Sequence, residues 1–241
     1  MVVRILPFLL LFFSQLSLSQ GGLTCSVLQP NNEEIFQEII YKKWLACIYS
    51  STENKETVII RFFKKEKNAY HTIAKNSTLL RPDEMHSNPP TLEATNQNRF
   101  QIVYSFPRDT YVIGLQAVGS KISLSKIYKS IRLNLPEEDP ITITISKKES
   151  ALEKLKFETI TQANAFNSGS MQLSPTSIGE KVKISAMKAT LFNGPSPDKK
   201  TNSYLIKNDE IELIEVSGEW LYVRYKSKTT IEKWINISDI L

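Results

Sequence analysis

Residues 181–241 read KVKISAMKATLFNGPSPDKKTNSYLIKNDEIELIEVSGEWLYVRYKSKTTIEKWINISDIL, and their patterning decides the fold. Short apolar bursts alternate with turn chemistry, which predicts a run of short strands. Val182–Phe192 forms the first expected strand and leads into a loop over Asn193–Ser203, where Gly194, Pro195 and Pro197 suit a broad excursion. Tyr204-Leu205-Ile206 predicts the next strand and Lys207-Asn208-Asp209 its turn. Ile211 and Leu213 then alternate with Glu210 and Glu212, the period of a half-buried strand. Ser217-Gly218 makes a tight turn into Glu219–Tyr225. Strict alternation there puts Leu221, Val223 and Tyr225 on the inner face and Trp220, Tyr222 and Arg224 on the outer one, unless a bulge reverses part of the strand. Lys226–Thr230 predicts a turn, Ile231–Ile235 the last long strand, and Ser238–Leu241 a short closing turn.

This order resembles a bacterial SH3-type domain, a small β-barrel used for binding rather than chemistry. Tyr204-Leu205-Ile206 followed by Lys207-Asn208-Asp209 stands where that family often has Leu-x-Lys-Gly-Asp, with Asn208 in place of the glycine. Asn is the best substitute where a positive φ is required. Trp220 and Val223 match the family's Trp-x-x-Val element, and Trp234-Ile235 its Gly-Trp-hydrophobic element, with Lys233 where glycine is common. The resemblance is confined to 181–241. It implies contact through aromatic faces suited to proline-rich peptides or to sugar and peptide stems. Tyr204, Trp220, Tyr222, Arg224 and Trp234 are the partner-binding candidates. Tyr222 and Arg224 are expected at the surface, whereas Trp234 fits a structural role better.

Upstream, Asn167-Ser168-Gly169-Ser170 and Pro175-Thr176-Ser177-Ile178-Gly179 are the most linker-like residues of the chain. The expected organisation is a β-rich domain over 20–166, a linker over 167–180 and the SH3-like domain over 181–241. In the first domain a short strand is expected around Leu23–Val27. Asn31 then caps a helix whose Phe36, Ile40 and Trp44 share a face. Leu45–Ser50 and Thr57–Phe63 flank the polar turn Ser51–Glu56 as a hairpin, and Lys64-Lys65-Glu66-Lys67 reads as a hairpin tip. Further strands are expected at Ala69–Ala74, Arg99–Phe106 and Tyr111–Gln116. Ile131, Leu133 and Leu135, then Ile141, Ile143 and Ile145, alternate with polar residues around a turn at Pro136–Pro140. Ser150 and Glu153 fit a capping box for a helix over Ala151–Ala163. Lys75–Gln97, with three prolines, reads as a long loop able to contribute to a binding surface. The expected fold class is therefore mainly β: an antiparallel N-terminal domain with one or two helices, then a small SH3-like β-barrel.

Residues 1–19 read as a secretory signal peptide. Arg4 gives the positive start, Ile5 to Phe13 an apolar run broken only by Pro7, and Ser17-Leu18-Ser19 a cleavage site. That run is too short to cross a bilayer, so no stable membrane insertion is expected after cleavage, and the expected location is periplasmic or secreted. The residues before Cys25 do not fit a lipid-anchor pattern. Cys25 and Cys47 are the only two cysteines and in an oxidising compartment are expected to pair. Thirty basic residues against 25 acidic give a net charge of +5 with no long run of one sign, so no nucleic-acid partner is expected.

No catalytic residue and no cofactor or metal ligand is assigned. The chain has two histidines and eight glycines, with no Gly-x-Ser-x-Gly element and no phosphate loop; Asp83, Glu84 and His86 have no metal-specific spacing. The leading expectation is a non-enzymatic exported protein that touches peptidoglycan or a periplasmic or extracellular protein. A second is a periplasmic immunity or inhibitor protein that blocks a secreted toxin or wall hydrolase with Lys75–Gln97 or Asn193–Ser203. A third is a hydrolase that uses the barrel for targeting and keeps a catalytic cleft within 25–165.

Overall fold

The computed structural model describes residues 24–28, 34–51, 57–95, 98–133 and 140–241. The signal peptide expected over 1–19, the cap at Asn31 and most of the turns at 51–56 and 136–140 lie outside the described residues. The described chain is mainly β, in three antiparallel sheets with four short helices. The first sheet is a meander of β1 (Ile35–Tyr41), β2 (Trp44–Ser50), β3 (Val58–Glu66) and β4 (Ala69–Asn76). The second contains β5 (Thr91–Ala94), β6 (Arg99–Ser105), β7 (Asp109–Val118), β8 (Lys121–Leu133), β9 (Ile141–Lys147) and β10 (Met171–Leu173), again neighbour to neighbour. The third contains β11 (Lys181–Lys183), β12 (Lys188–Phe192), β13 (Lys200–Ile206), β14 (Glu210–Ser217), β15 (Trp220–Lys226) and β16 (Thr230–Asn236), in the order β11-β14-β15-β16-β12-β13. The helices are α1 (Cys25–Leu28), α2 (Pro82–Ser87), α3 (Glu149–Leu152) and α4 (Gln162–Ala165).

The largest core lies between the first two sheets. Ala46, Ile48, Ile60 and Phe62 meet Phe100, Ile102, Ile113 and Leu115, and Phe157 and Ile160 close the same cluster. Phe62 stands edge-on to Phe100 and Phe157, with centroids 5.2 and 5.4 Å apart. The alternate residues of β2, Leu45, Cys47 and Tyr49, are buried on the other face. There the Cys25–Cys47 disulfide ties α1 to β2.

The segment 157–166 is held to the sheets at two polar points. Asn76, 1% exposed, donates to the carbonyls of Phe157 and Ile160 and accepts from the amides of Thr78 and Leu79 at 2.9 and 2.8 Å. Lys147 Nζ donates to the carbonyls of Asn164 and Ala165 and to Ser170 Oγ, at 2.6–2.7 Å. Burial of that ammonium lowers its pKa.

Several expectations are corrected. Residues 36–44 form β1 and the start of β2, not a helix; Tyr41 pairs with Trp44 across a turn with Lys42 at φ 55°. Residues 25–28 are helical rather than extended. Lys75–Gln97 is not one loop, since it holds the end of β4, α2 and β5, with Pro82 opening the helix. The helix expected over 151–163 is broken into α3, a 3-10 turn at Phe157–Thr159 flanked by extended backbone at Lys156 and Ile160, and α4, and the carbonyls of Phe157 and Ile160 freed by this break accept from the Asn76 side chain. The strand expected over 182–192 splits into β11 and β12, and β13 begins at Lys200 inside the expected loop.

Residues 167–180, expected as a linker, are packed. Met171–Leu173 adds to β9 as β10, and the Ser177 hydroxyl accepts from the Thr144 amide at 2.8 Å. The Gly179 amide donates to the Leu213 carbonyl at 2.8 Å, and the Leu213 amide returns a bond to Glu180. One cluster then joins Ile143, Ile145, Met171 and Leu173 of the second sheet to Leu191, Leu213, Leu221 and Ile235 of the third.

Candidate binding face

The turns at Asn208 and Gly218 fix how the third sheet presents its outer face. Both residues have positive φ, 71° and 66°, at turns the sequence predicted: Gly218 closes the β14–β15 hairpin, and Asn208 lies in the connection from β13 to the non-adjacent β14. In β15, Leu221 and Val223 are buried at 0% and 1% while Trp220, Tyr222 and Arg224 face away from the core. Cross-strand pairing then sets the neighbours. Tyr222 is opposite Trp234, and Trp234 is opposite Phe192, so three aromatic side chains form a row over β15, β16 and β12. Trp220 completes the block beside Phe192, with centroids 4.7 Å apart edge-to-face, while Tyr222 and Trp234 are tilted at 5.1 Å. None of the four belongs to a core cluster. With strands ~4.8 Å apart and alternate residues ~6.7 Å apart, the block spans roughly 10 by 7 Å.

A charge ladder borders it. Arg224 Nη1 donates to Glu212 at 2.9 Å and Nε to Glu232 at 2.8 Å, and Tyr222 Oη donates to Glu232 at 3.4 Å. Glu232 first and then Glu212 hold the guanidinium above its ordinary pKa. Desolvation, aided by Glu232, raises the Tyr222 phenol. Arg224 is therefore a strut between two carboxylates, and its donors on those atoms are spent within the protein. Tyr225 faces the core side and donates to Asp209 at 3.2 Å.

The structure thus brings together Trp220, Tyr222 and Trp234, with Arg224 on their border. Tyr204 stands apart on the edge strand β13, opposite Thr190, with Lys188 Nζ 4.3 Å from its ring centroid. Trp234, expected in a structural role, lies on the outer face. Phe192 was missed, because nothing in KATLF shows that its last residue pairs with Trp234, far along the chain. Chemically, the face offers stacking area and a polar border. Among the described residues no group of three His, Cys, Asp or Glu side chains can hold a metal ion. Of the Asp83–Glu84–His86 set, Asp83 pairs with Arg81, Glu84 accepts from Gln162, and His86 stands edge-on to Phe36. No helix among the described residues is long and apolar enough to cross a membrane.

No family model, no curated protein and no solved structure matches the chain.

Proposed function

We propose that the chain is an exported, non-enzymatic binding protein whose C-terminal sheet acts as an SH3-like module and contacts the cell wall. The aromatic row Tyr222–Trp234–Phe192 with Trp220 carries this reading. Four large rings stand outside every core cluster, half-buried against one another on the outer face of the sheet, with part of each ring left open to solvent. A rigid, amphipathic stacking surface is the function that repays such a placement. Sugar rings present C–H faces to such a surface, and peptide stems extend from them to a polar rim of the kind Glu212, Arg224 and Glu232 supply. The Cys25–Cys47 bridge fits an oxidising compartment, which supports a periplasmic or secreted location.

The test is sedimentation of the chain with purified peptidoglycan, with periplasmic extract in a parallel arm. The reading expects the wild type in the pellet and a Tyr222→Ala/Trp234→Ala variant of unchanged circular dichroism in the supernatant. A wild type that stays in solution with wall but captures one protein at fixed stoichiometry refutes wall contact.

A further inference from the structure

A cleft of about 680 Å³ opens among β6, β7, α2 and α4, within the N-terminal sheets and independent of the aromatic face. Its walls are Phe106, Tyr111 and Phe166, with Tyr111 edge-on to the other two rings at 5.8 and 5.0 Å. Phe106 is 48% exposed at its mouth. Two carboxylates line it, Glu84 and Asp109, and no lysine or arginine does.

These carboxylates are not equivalent. Asp109 is neutralised by Lys129 Nζ at 2.7 Å and receives the Tyr111 hydroxyl at 3.4 Å. Glu84 accepts both its short side-chain bonds, 2.9 and 2.7 Å, from the neutral amide of Gln162. Its nearest cation, Arg81, stands 3.6 Å away, 62% exposed, and bonds Asp83 at 2.7 Å. Glu84 thus presents a carboxylate whose charge is only weakly countered.

Beside it is Tyr104, 5% exposed, whose hydroxyl is buried without a hydrogen-bond partner. Gln162 stands close enough to act on this phenol, but its amide is turned to Glu84 and makes no bond of normal geometry with it. Burial raises the phenol far above its ordinary pKa, opposed by Gln162 and reinforced by Glu84, so it stays protonated. An orphaned buried hydroxyl destabilises the fold, and a cleft wall is where a ligand would satisfy it.

We propose that this cleft binds a primary ammonium carried on an apolar body. The ammonium donates to Glu84 and to the Tyr104 oxygen, giving the buried hydroxyl the partner it lacks. The apolar body lies among Phe106, Tyr111 and Phe166, while Lys129, 5.1 Å from the Tyr111 ring centroid and paired with Asp109, leaves Glu84 as the carboxylate for the ammonium.

The test is calorimetric titration of the full chain with phenethylammonium and, separately, its neutral analogue 2-phenylethanol. The amine is expected to bind about tenfold tighter than the alcohol, as a charge-assisted hydrogen bond requires. Tyr104→Phe is expected to weaken the amine about tenfold while raising the melting temperature, since it removes an unsatisfied group. Glu84→Gln is expected to abolish the preference for amine over alcohol. Equal binding of amine and alcohol by the wild type, an unchanged affinity in Tyr104→Phe, or no heat at millimolar amine each overturns the proposal.

Discussion

Replacing Asn76 probes how the segment that carries α4 is fixed to the sheets. Its side chain is buried and uses both amide hydrogens on the carbonyls of Phe157 and Ile160, and its oxygen on the amides of Thr78 and Leu79. Asn76→Ala removes four hydrogen bonds, leaving the Ile160 carbonyl with the Thr78 hydroxyl as its remaining side-chain donor. At about 1 kcal/mol net each, the expected loss is about 4 kcal/mol. That is a large share of the 5–15 kcal/mol typical of a folded protein. Asn76→Asp sharpens the argument. It preserves the acceptor side but turns the donor towards Phe157 and Ile160 into an anionic oxygen facing two carbonyl oxygens. Its loss at pH 7 should equal or exceed that of Asn76→Ala, and should shrink as the pH falls and the carboxyl regains a proton to donate. Urea unfolding followed by circular dichroism at pH 7 and pH 5 measures all three proteins. A loss under about 1 kcal/mol for Asn76→Ala, or an Asn76→Asp variant as stable as wild type at pH 7, refutes the clamp.

Removing the disulfide by Cys25→Ala/Cys47→Ala should cost about 3 kcal/mol, the chain-entropy value for a loop with a sequence separation of 22, read from the shift in urea midpoint. Because Met171 and Leu173 share a cluster with Leu213 and Leu221, calorimetry should show a single cooperative transition. Leu213→Ala should lower that whole transition by about 3 kcal/mol, whereas two separable transitions would contradict a shared core. Burial, opposed by a bond from the Asn236 backbone, raises the Asp239 carboxyl above 3.8. Between 3.8 and that raised value the folded state binds more protons than the unfolded one, so this group's contribution is present below 3.8 and lost as pH rises through the window. Asp239→Asn should flatten the stability profile there, as a melting series across acid pH would show.

Much of the strand layout was legible because period-two alternation has a single structural meaning where turn residues punctuate it. Lys207-Asn208-Asp209 and Ser217-Gly218 announced their turns, and both positive-φ positions stand where they were expected. The failure over 36–44 has a definite cause. A spacing of four residues marks one face only while the backbone stays regular; here a β-bulge between Ile35 and Gln37 and the turn after Tyr41 separate the three, so Phe36 and Trp44 reach the core from two strands while Ile40 is 52% exposed. The discriminating turn lacked its usual chemistry, since Lys42 and not Gly or Asn takes the positive φ. At 167–180, small polar residues looked like a tether, yet Ser177 is 1% exposed and bonded to the Thr144 backbone. Composition reports flexibility only where no partner exists in space. The same limit hid the cleft, whose Glu84, Tyr104, Tyr111 and Phe166 come from α2, β6, β7 and the residue after α4. Of the binding face, Trp220 and Tyr222 followed from alternation, while the pairing that adds Phe192 and turns Trp234 outward did not.

The intrinsic fluorescence of the chain reports on the central claim directly. Of three tryptophans, Trp44 is 1% exposed and donates to Asn98, whereas Trp220 and Trp234 lie on the candidate face. Titration with a soluble peptidoglycan fragment should shift the emission and protect it from acrylamide. Trp220→Phe/Trp234→Phe should remove the response while leaving Trp44 as an internal reference. A fragment that sediments or co-elutes with the chain without altering either tryptophan, or that binds nothing up to millimolar concentration, would contradict the account.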